Sequence, residues 1–450
     1  MLRRLNVHIL LQAIAAVYLI AFVSWGIQAQ GLIGSHGILP AGDFLAAVHG
    51  QLGRAAYWNC PTVFWLNSSD GALRAGWILG ALCALTAMLA PWNGVVRGAF
   101  AGCLILWLSL CAVGQDFLSF QWDVLLLEAG FLAIFADDSP VRIWLFRWLI
   151  FRLMFYSGVV KLLSHDPNWR NLTALHYHYW TQPLPTPLAW YMEQLPVWFQ
   201  QICTAFTLFA ELIVPFLFFA PKSIRSVAAV IVIVLQVFIL LTGNYTFFNL
   251  LTITLTLFLF IDPAPAPTGR RHLAVSIALI AFIGIVSGCV TLQMFSVDIP
   301  GESALLRTVE PLRIVNSYGL FAVMTTERPE IVVEGSNDGA TWQAYEFPYK
   351  PGNLRRAPPI VAPYQPRLDW QMWFAAQGNY QSNRWFVGLM LRLLQGEPSV
   401  TRLLQYNPFP KAPPKYIRAR EYLYRFTKFG EPGWWTREER GEYFPAIGLK

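Results

Sequence analysis

Residues 151–190 read FRLMFYSGVVKLLSHDPNWRNLTALHYHYWTQPLPTPLAW, an apolar helical run that carries Arg152 and Lys161 and ends in a crowd of His, Tyr, Trp and Pro. A cation at the centre of a membrane costs about 2.5 to 3.5 kcal/mol on insertion scales, so such groups face partners inside a bundle. Acids stand upstream in QWDVLLLEAGFLAIF, which holds Asp123 and Glu128, and downstream at Glu211. Two chemistries fit this set: salt bridges that fix helix register, or a charged pocket for a ligand.

If 120–136 and 141–163 pair as antiparallel helices turning at 137–140, Glu128 falls at the depth of Arg152 and Asp123 at the depth of Lys161. Glu211, mid-way along the run 196–220, is a third acid that can join the central pair. Lys161 lies near the end of its helix, where it can snorkel, and directly before a polar, aromatic segment, 164–195. That segment holds His165, Trp169, Arg170, His176, Tyr177, His178, Tyr179 and Trp180. His176 and His178 share a face on a strand but not on a helix, and no third ligand stands nearby, so no metal is expected. Pro183, Pro185 and Pro187 hold TQPLPTPL extended. A stiff outer loop over a charged pocket is the physical picture.

These residues need a bundle to hold them. The 450-residue chain is 55% hydrophobic and 13% charged, against about 25% charged in a soluble domain. Apolar runs of spanning length lie near 7–28, 73–91, 99–119, 141–163, 196–220, 223–242, 245–262 and 272–294, and 120–136 is a short ninth. With nine crossings and a cytoplasmic N-terminus, Arg3, Arg4, Arg97, Arg142, Lys222, Arg225, Arg270 and Arg271 fall inside, against Arg54, Arg74 and Arg170 outside. This positive-inside bias collapses if 120–136 does not cross. The net charge of +7 therefore reflects topology, and no nucleic-acid partner is expected. The first run shows no cleavage site and is read as a retained anchor. The six cysteines lie in or beside apolar segments and none falls in 300–450, so no disulfide framework or Cys-based zinc site is expected in that region.

Residues 1–299 hold 12 Asp and Glu and 14 Lys and Arg, whereas 300–450 hold 14 and 19 and no spanning run. The expected fold is an all-α membrane bundle of about nine helices, 1–299, followed by an extracytoplasmic, soluble, β-rich α+β domain, 300–450. EIVVEGSNDGATWQAYEFPY reads as strand, turn and strand. RIVNSYGLFAVMT and KYIRAREYLYRFTKF read as further strands of a small sandwich. Residues 384–395 form a helix with a stripe of Trp385, Leu389 and Leu393, either packed on the core or lying on the membrane. RLDWQMWFAA, with Asp369, Trp370, Trp373 and Phe374, is core or a client-binding surface. No nucleophile elbow, phosphate loop or metal set is evident, and the expectation is binding without a cofactor.

Several strings here are similar to the lipase maturation factor family: QWDVLLLEAGFLAIF, the run 151–191, ELIVPFLFF, LTGNYTFFNLLT, IVNSYGLFAVMTTERPEIVVEG, YQPRLDWQMWFAA and NPFPKAPPKYIRAREYLYRF. The resemblance covers most of 100–450 and implies a membrane factor that helps secreted lipases reach their active fold, with a lipase-like client and membrane lipid as partners. More weakly, YSGVVKLLSHDPNW resembles a segment of the vitamin K-dependent carboxylase. That implies Lys161 as a base acting on a quinone-like or lipid ligand, a role that an Asp123 partner opposes. No internal repeat supports a transporter. Sequons at Asn67, Asn171 and Asn244 fall in outer loops or span edges, and AIGLK at the end carries no retention signal. A bacterial inner membrane is favoured, with the endoplasmic reticulum as the eukaryotic alternative.

Overall fold

The computed structural model describes residues 6–91, 94–265 and 269–449; Arg3 and Arg4, counted above among the inside charges, lie outside them. Local signals start the helices. Asn6 and Ser69 cap α1 (Val7–Gly26) and α2 (Asp70–Leu89) by accepting hydrogen bonds from Ile9 and Ala72 backbone N–H groups. Pro140 opens α5 (Pro140–Leu163), where its missing N–H costs nothing. Between these run α3 (Gly94–Val113) and α4 (Gln121–Phe135). After α5 come α6 (Val197–Leu212, extended by a 3-10 turn, Val214–Phe219), α7 (Lys222–Thr242), α8 (Phe248–Thr256, extended by Leu257–Phe260) and α9 (Arg270–Met294).

Among the described residues, seven of these segments are long and apolar enough to cross a membrane. The other two, α4 and α8, are shorter than the roughly 20 residues that a lone span requires. Both are wrapped by other helices: α4 buries Trp122, Asp123, Leu125–Gly130, Leu132 and Ala133, and α8 buries most of its residues. A helix enclosed by protein need not match the bilayer by itself.

The ends of the segments sort onto two faces. On one, Lys222 and Arg225 pair with Asp262 at 2.5 and 3.0 Å, and His272 lies 3.1 Å from Asp137. The other face carries the 27–69 loop, the 164–196 segment, the 243–247 turn and all of the C-terminal part. Trp58 donates to Thr308 O and Gln28 to Gln365 O, tying that part to the loop that follows α1.

The C-terminal part contains one antiparallel sheet in the order β2-β1-β3-β4, formed by β1 (Pro329–Ser336), β2 (Gln343–Ala344), β3 (Tyr416–Phe426) and β4 (Trp435–Gly448). β3 buries Ile417, Ala419 and Leu423 on one face, and on the other Tyr424 and Phe426, which pack with Tyr179, Trp180, Trp190 and Trp435. Helices α10 (Arg367–Ala376) and α11 (Arg384–Leu394) pack with the sheet; Phe386 of α11 stacks edge-on against Tyr443, whose hydroxyl donates to Ala375 O at 2.8 Å. The stripe of Trp385, Leu389 and Leu393 is buried, so α11 is a core helix.

Two expectations are corrected here. The sheet is single and covered by helices, not one half of a sandwich. The stretch 313–325 forms no strand, because its backbone groups are taken by side chains of α4 and of the segment after α5: Asn316 N donates to Glu128, Gly319 N to Gln121 and Met324 N to Asp166. One continuous apolar core runs from Leu10 and Trp107 in the bundle through Leu368 and Trp385 in the C-terminal part.

Candidate functional site

Equal depth brings Glu128 and Arg152 together. Arg152 Nη2 donates to Glu128 Oε1, and both side chains are almost fully buried. The other half of each group is claimed by the segment that follows α9. Glu128 Oε2 accepts from Tyr318 Oη at 2.6 Å and from Asn316 N at 3.3 Å, while Arg152 Nη1 donates to Asn316 O at 3.1 Å. Little of this pair is left for a ligand.

Asp123 does not meet Lys161. Five residues along a helix correspond to about 140° of rotation, so when Glu128 faces α5, Asp123 faces elsewhere. It faces α10, where Arg367 forms two parallel contacts with it at 2.6 and 2.8 Å and also donates to Phe117 O at 2.9 Å. This fork geometry is the strong form of an Arg–carboxylate pair.

Lys161 instead pairs with Glu211, which therefore does not join the central pair. Nζ lies 2.9 Å from Oε1 and 2.8 Å from Oε2, and also donates to Ser157 O at 3.1 Å. Gly158 makes the approach possible: a Cβ there would stand 2.8 Å from the Leu212 side chain and 3.0 Å from Glu211 Cβ. Trp169 closes the outer side with its ring centroid 5.1 Å from Nζ and its Nε1 donating to Phe321 O.

Lys161, Glu211, Trp169 and His178 line a cavity of about 480 Å³ between α5, α6 and α7. Its walls are otherwise mostly apolar, including Met154, Phe199, Phe206, Leu235 and Phe321. The cap is formed by a short helix, Ala174–Thr181, where a strand was needed to align the two histidines. They diverge as a helix requires: His176 Nδ1 lies 3.0 Å from Gln200 Oε1, and His178 Nε2 lies 3.2 Å from Tyr245 Oη. Tyr245 gives its single proton to Gln182 Oε1 at 3.0 Å, so His178 Nε2 is the donor in their contact. Burial, and then the nearby Lys161 charge, push the His178 pKa down to about 4, leaving a neutral ring at neutral pH.

The remaining candidates lie apart from the cavity. Arg170 is exposed and touches His165. Tyr177 packs against the aromatic cluster of Tyr179, Trp190 and Trp435. Asp369 is buried and accepts from Tyr349 N and Lys350 N, both at 2.8 Å; burial raises its pKa to about 6. Trp370 and Trp373 are buried, while Phe374 is exposed. Asn244, the third sequon asparagine, is buried and holds Leu184 O, Pro359 O and the N–H groups of Val361 and Ala362.

Sequence reasoning missed Arg367, Tyr318, Asn316, Tyr245 and Arg328. Arg328 is fully buried and donates to the carbonyls of Trp180, Gln182 and Pro183, so the proline-rich turn is held from the C-terminal part. Arginines in a stretch read as soluble pass for surface charges. The available signal was the setting of Arg367 at the head of an unusually aromatic helix.

The family model described as Lipase maturation factor transmembrane domain matches residues 5–265, and that described as Lipase maturation factor C-terminal domain matches 314–445. The chain is 38% identical to "Lipase maturation factor 2" of Homo sapiens over 99% of its own length and 83% of the relative's. It is 37% identical to the Gallus gallus protein of that name, over 98% and 81%. It is 34% identical to "Lipase maturation factor 1" of Bos taurus, over 98% and 88%. No solved structure matches. The comparisons lend no support to the carboxylase resemblance.

Proposed function

Because the chain belongs to the lipase maturation factor family, as an integral multi-pass membrane protein, we propose that it assists the folding and activation of secreted lipase-like clients. The observation that carries this reading is that both family models match in order along one chain. The architecture supports it, because the C-terminal part is lashed to one face of the bundle through Asp123–Arg367, Glu128–Tyr318 and the Arg328 contacts. That is the arrangement expected of a platform held at a membrane surface. With the positive-inside bias, we place this face outside the cytoplasm, in the periplasm of a bacterium, and divide the chain into a membrane part, 1–299, and a client-facing part, 300–450.

The test is secreted lipase activity per unit of lipase protein in a host lacking the gene. Specific activity is expected to fall on deletion and to return with the full chain. Unchanged specific activity across several secreted lipases, with the deletion verified, sinks the reading.

A further inference from the structure

The mouth of the cavity between α5, α6 and α7 indicates where an occupant would come from. Ile202 on α6 and Phe238 on α7 line the cavity, yet they are 58% and 54% exposed. Both belong to membrane-length helices on which Phe209, Val234 and Leu241 are exposed as well. The opening is thus lateral, toward lipid, in the half of the bundle nearer the C-terminal part. The volume of about 480 Å³ falls within the range of about 300 to 1,000 Å³ typical of small-molecule pockets.

The polar wall narrows the class of head group. Lys161 and Glu211 neutralise each other, so a charged head would bring an unpaired charge into a low-dielectric site. Glu211 Oε2 is close to Lys161 Nζ but receives no hydrogen bond, and it is buried. A carboxylate has about four acceptor positions, so this oxygen is ready for a hydroxyl donor. We propose that the chamber binds a membrane amphiphile with one long apolar chain and a small, uncharged, hydroxyl-bearing head, its chain entering between α6 and α7 and its hydroxyl donating to Glu211. The proposal is independent of the client-maturation reading.

The full chain in phosphatidylcholine nanodiscs is photolabelled with hexadecanol carrying a mid-chain diazirine, and the labelled peptides are mapped by mass spectrometry. Label is expected on 199–207 and 234–239, and excess unlabelled hexadecanol should remove it. The double variant Ile202→Trp, Phe238→Trp narrows the mouth at exposed positions, and should cut labelling about tenfold while the melting midpoint and gel-filtration profile stay unchanged. A mid-chain diazirine on hexadecane, which has no hydroxyl, should label about tenfold less than the alcohol. Competition by hexadecanol over geranylgeraniol identifies a straight-chain source, and the reverse order an isoprenoid one. Label spread over all lipid-facing helices, or indifferent to the mouth variant, overturns the site. Equal labelling by the hydrocarbon overturns the Glu211 assignment.

Discussion

Asp123 and Arg367 meet through two parallel contacts, both almost fully buried between α4 and α10, whereas Lys161 and Glu211, similarly buried, form one wall of an open cavity. The cost of bringing charge into a membrane protein is paid in both places, but the return differs. Arg367 crosses from the C-terminal part into the bundle and also satisfies the Phe117 carbonyl, so its pair is a clamp between two regions. Lys161 and Glu211 join two helices already brought together at Gly158, and their outward edges remain available. Burial alone does not separate a structural pair from a site; the presence of space beside it does.

The largest expected effect tests the clamp. Arg367→Met strands Asp123 and should destabilise the full chain in detergent by about 3 to 5 kcal/mol, seen as a lowered melting midpoint and poor accumulation in the membrane. By contrast, Lys161→Met combined with Glu211→Met removes both charges where the helices are already close, and should remain within about 1 kcal/mol of wild type. Because removing one partner and removing both differ in themselves, the matched comparison is Asp123→Leu with Arg367→Met, which should still lose stability through the orphaned Phe117 carbonyl. A loss no larger than that of the Lys161, Glu211 double variant would erase the distinction between clamp and cavity wall.

The central pair should behave like the clamp. Exchanging Glu128→Arg with Arg152→Glu restores opposite charges, but it turns the Tyr318 hydroxyl and the Asn316 N–H toward a guanidinium. The double variant should therefore stay about 2 kcal/mol less stable than wild type, and full recovery would show that the 313–321 segment contributes nothing to the pair.

Outside the spans, two buried groups should give opposite pH slopes. The folded-state pKa of Asp369 is raised to about 6, so the folded state holds the proton more tightly than the unfolded chain, where it titrates near pH 4. The contribution of Asp369 is therefore full below about pH 4 and is lost as pH rises through 6. His178 is depressed to about 4, so its contribution is full above about pH 6.5 and is lost as pH falls toward 4. Relative to wild type, Asp369→Asn should make the melting midpoint rise more steeply between pH 4 and 6, and His178→Gln should tilt it the other way. The smallest effect belongs to the exposed Arg170: Arg170→Ala should leave stability within about 0.5 kcal/mol of wild type, and a larger loss would mean that it supports the cap over the cavity.

The legible part of the candidate site was its depth. Glu128 and Arg152 were paired by counting residues from the turn at 137–140, and that count holds because every helical residue rises by about the same 1.5 Å. The same count put Asp123 beside Lys161 and failed, since depth says nothing about rotation around the helix axis. It could not reach Arg367, 244 positions away in the chain, because hydropathy had assigned that residue to a separate soluble region. The strand expected at 313–325 failed for a related reason. Its alternation was real, but its backbone partners are side chains of α4 and of the 164–170 segment instead of a neighbouring strand.

The sequence by itself determined the membrane class, the apolar helical segments, the strand at 416–426, the apolar stripe of α11 and the family resemblance, all of which follow from local composition and period. Tertiary structure alone decided which cation meets which acid, through which side chains the C-terminal part is bonded to the bundle, and where a cavity remains. Those outcomes depend on helix rotation and on close approaches such as the one at Gly158, and neither quantity is additive along the chain.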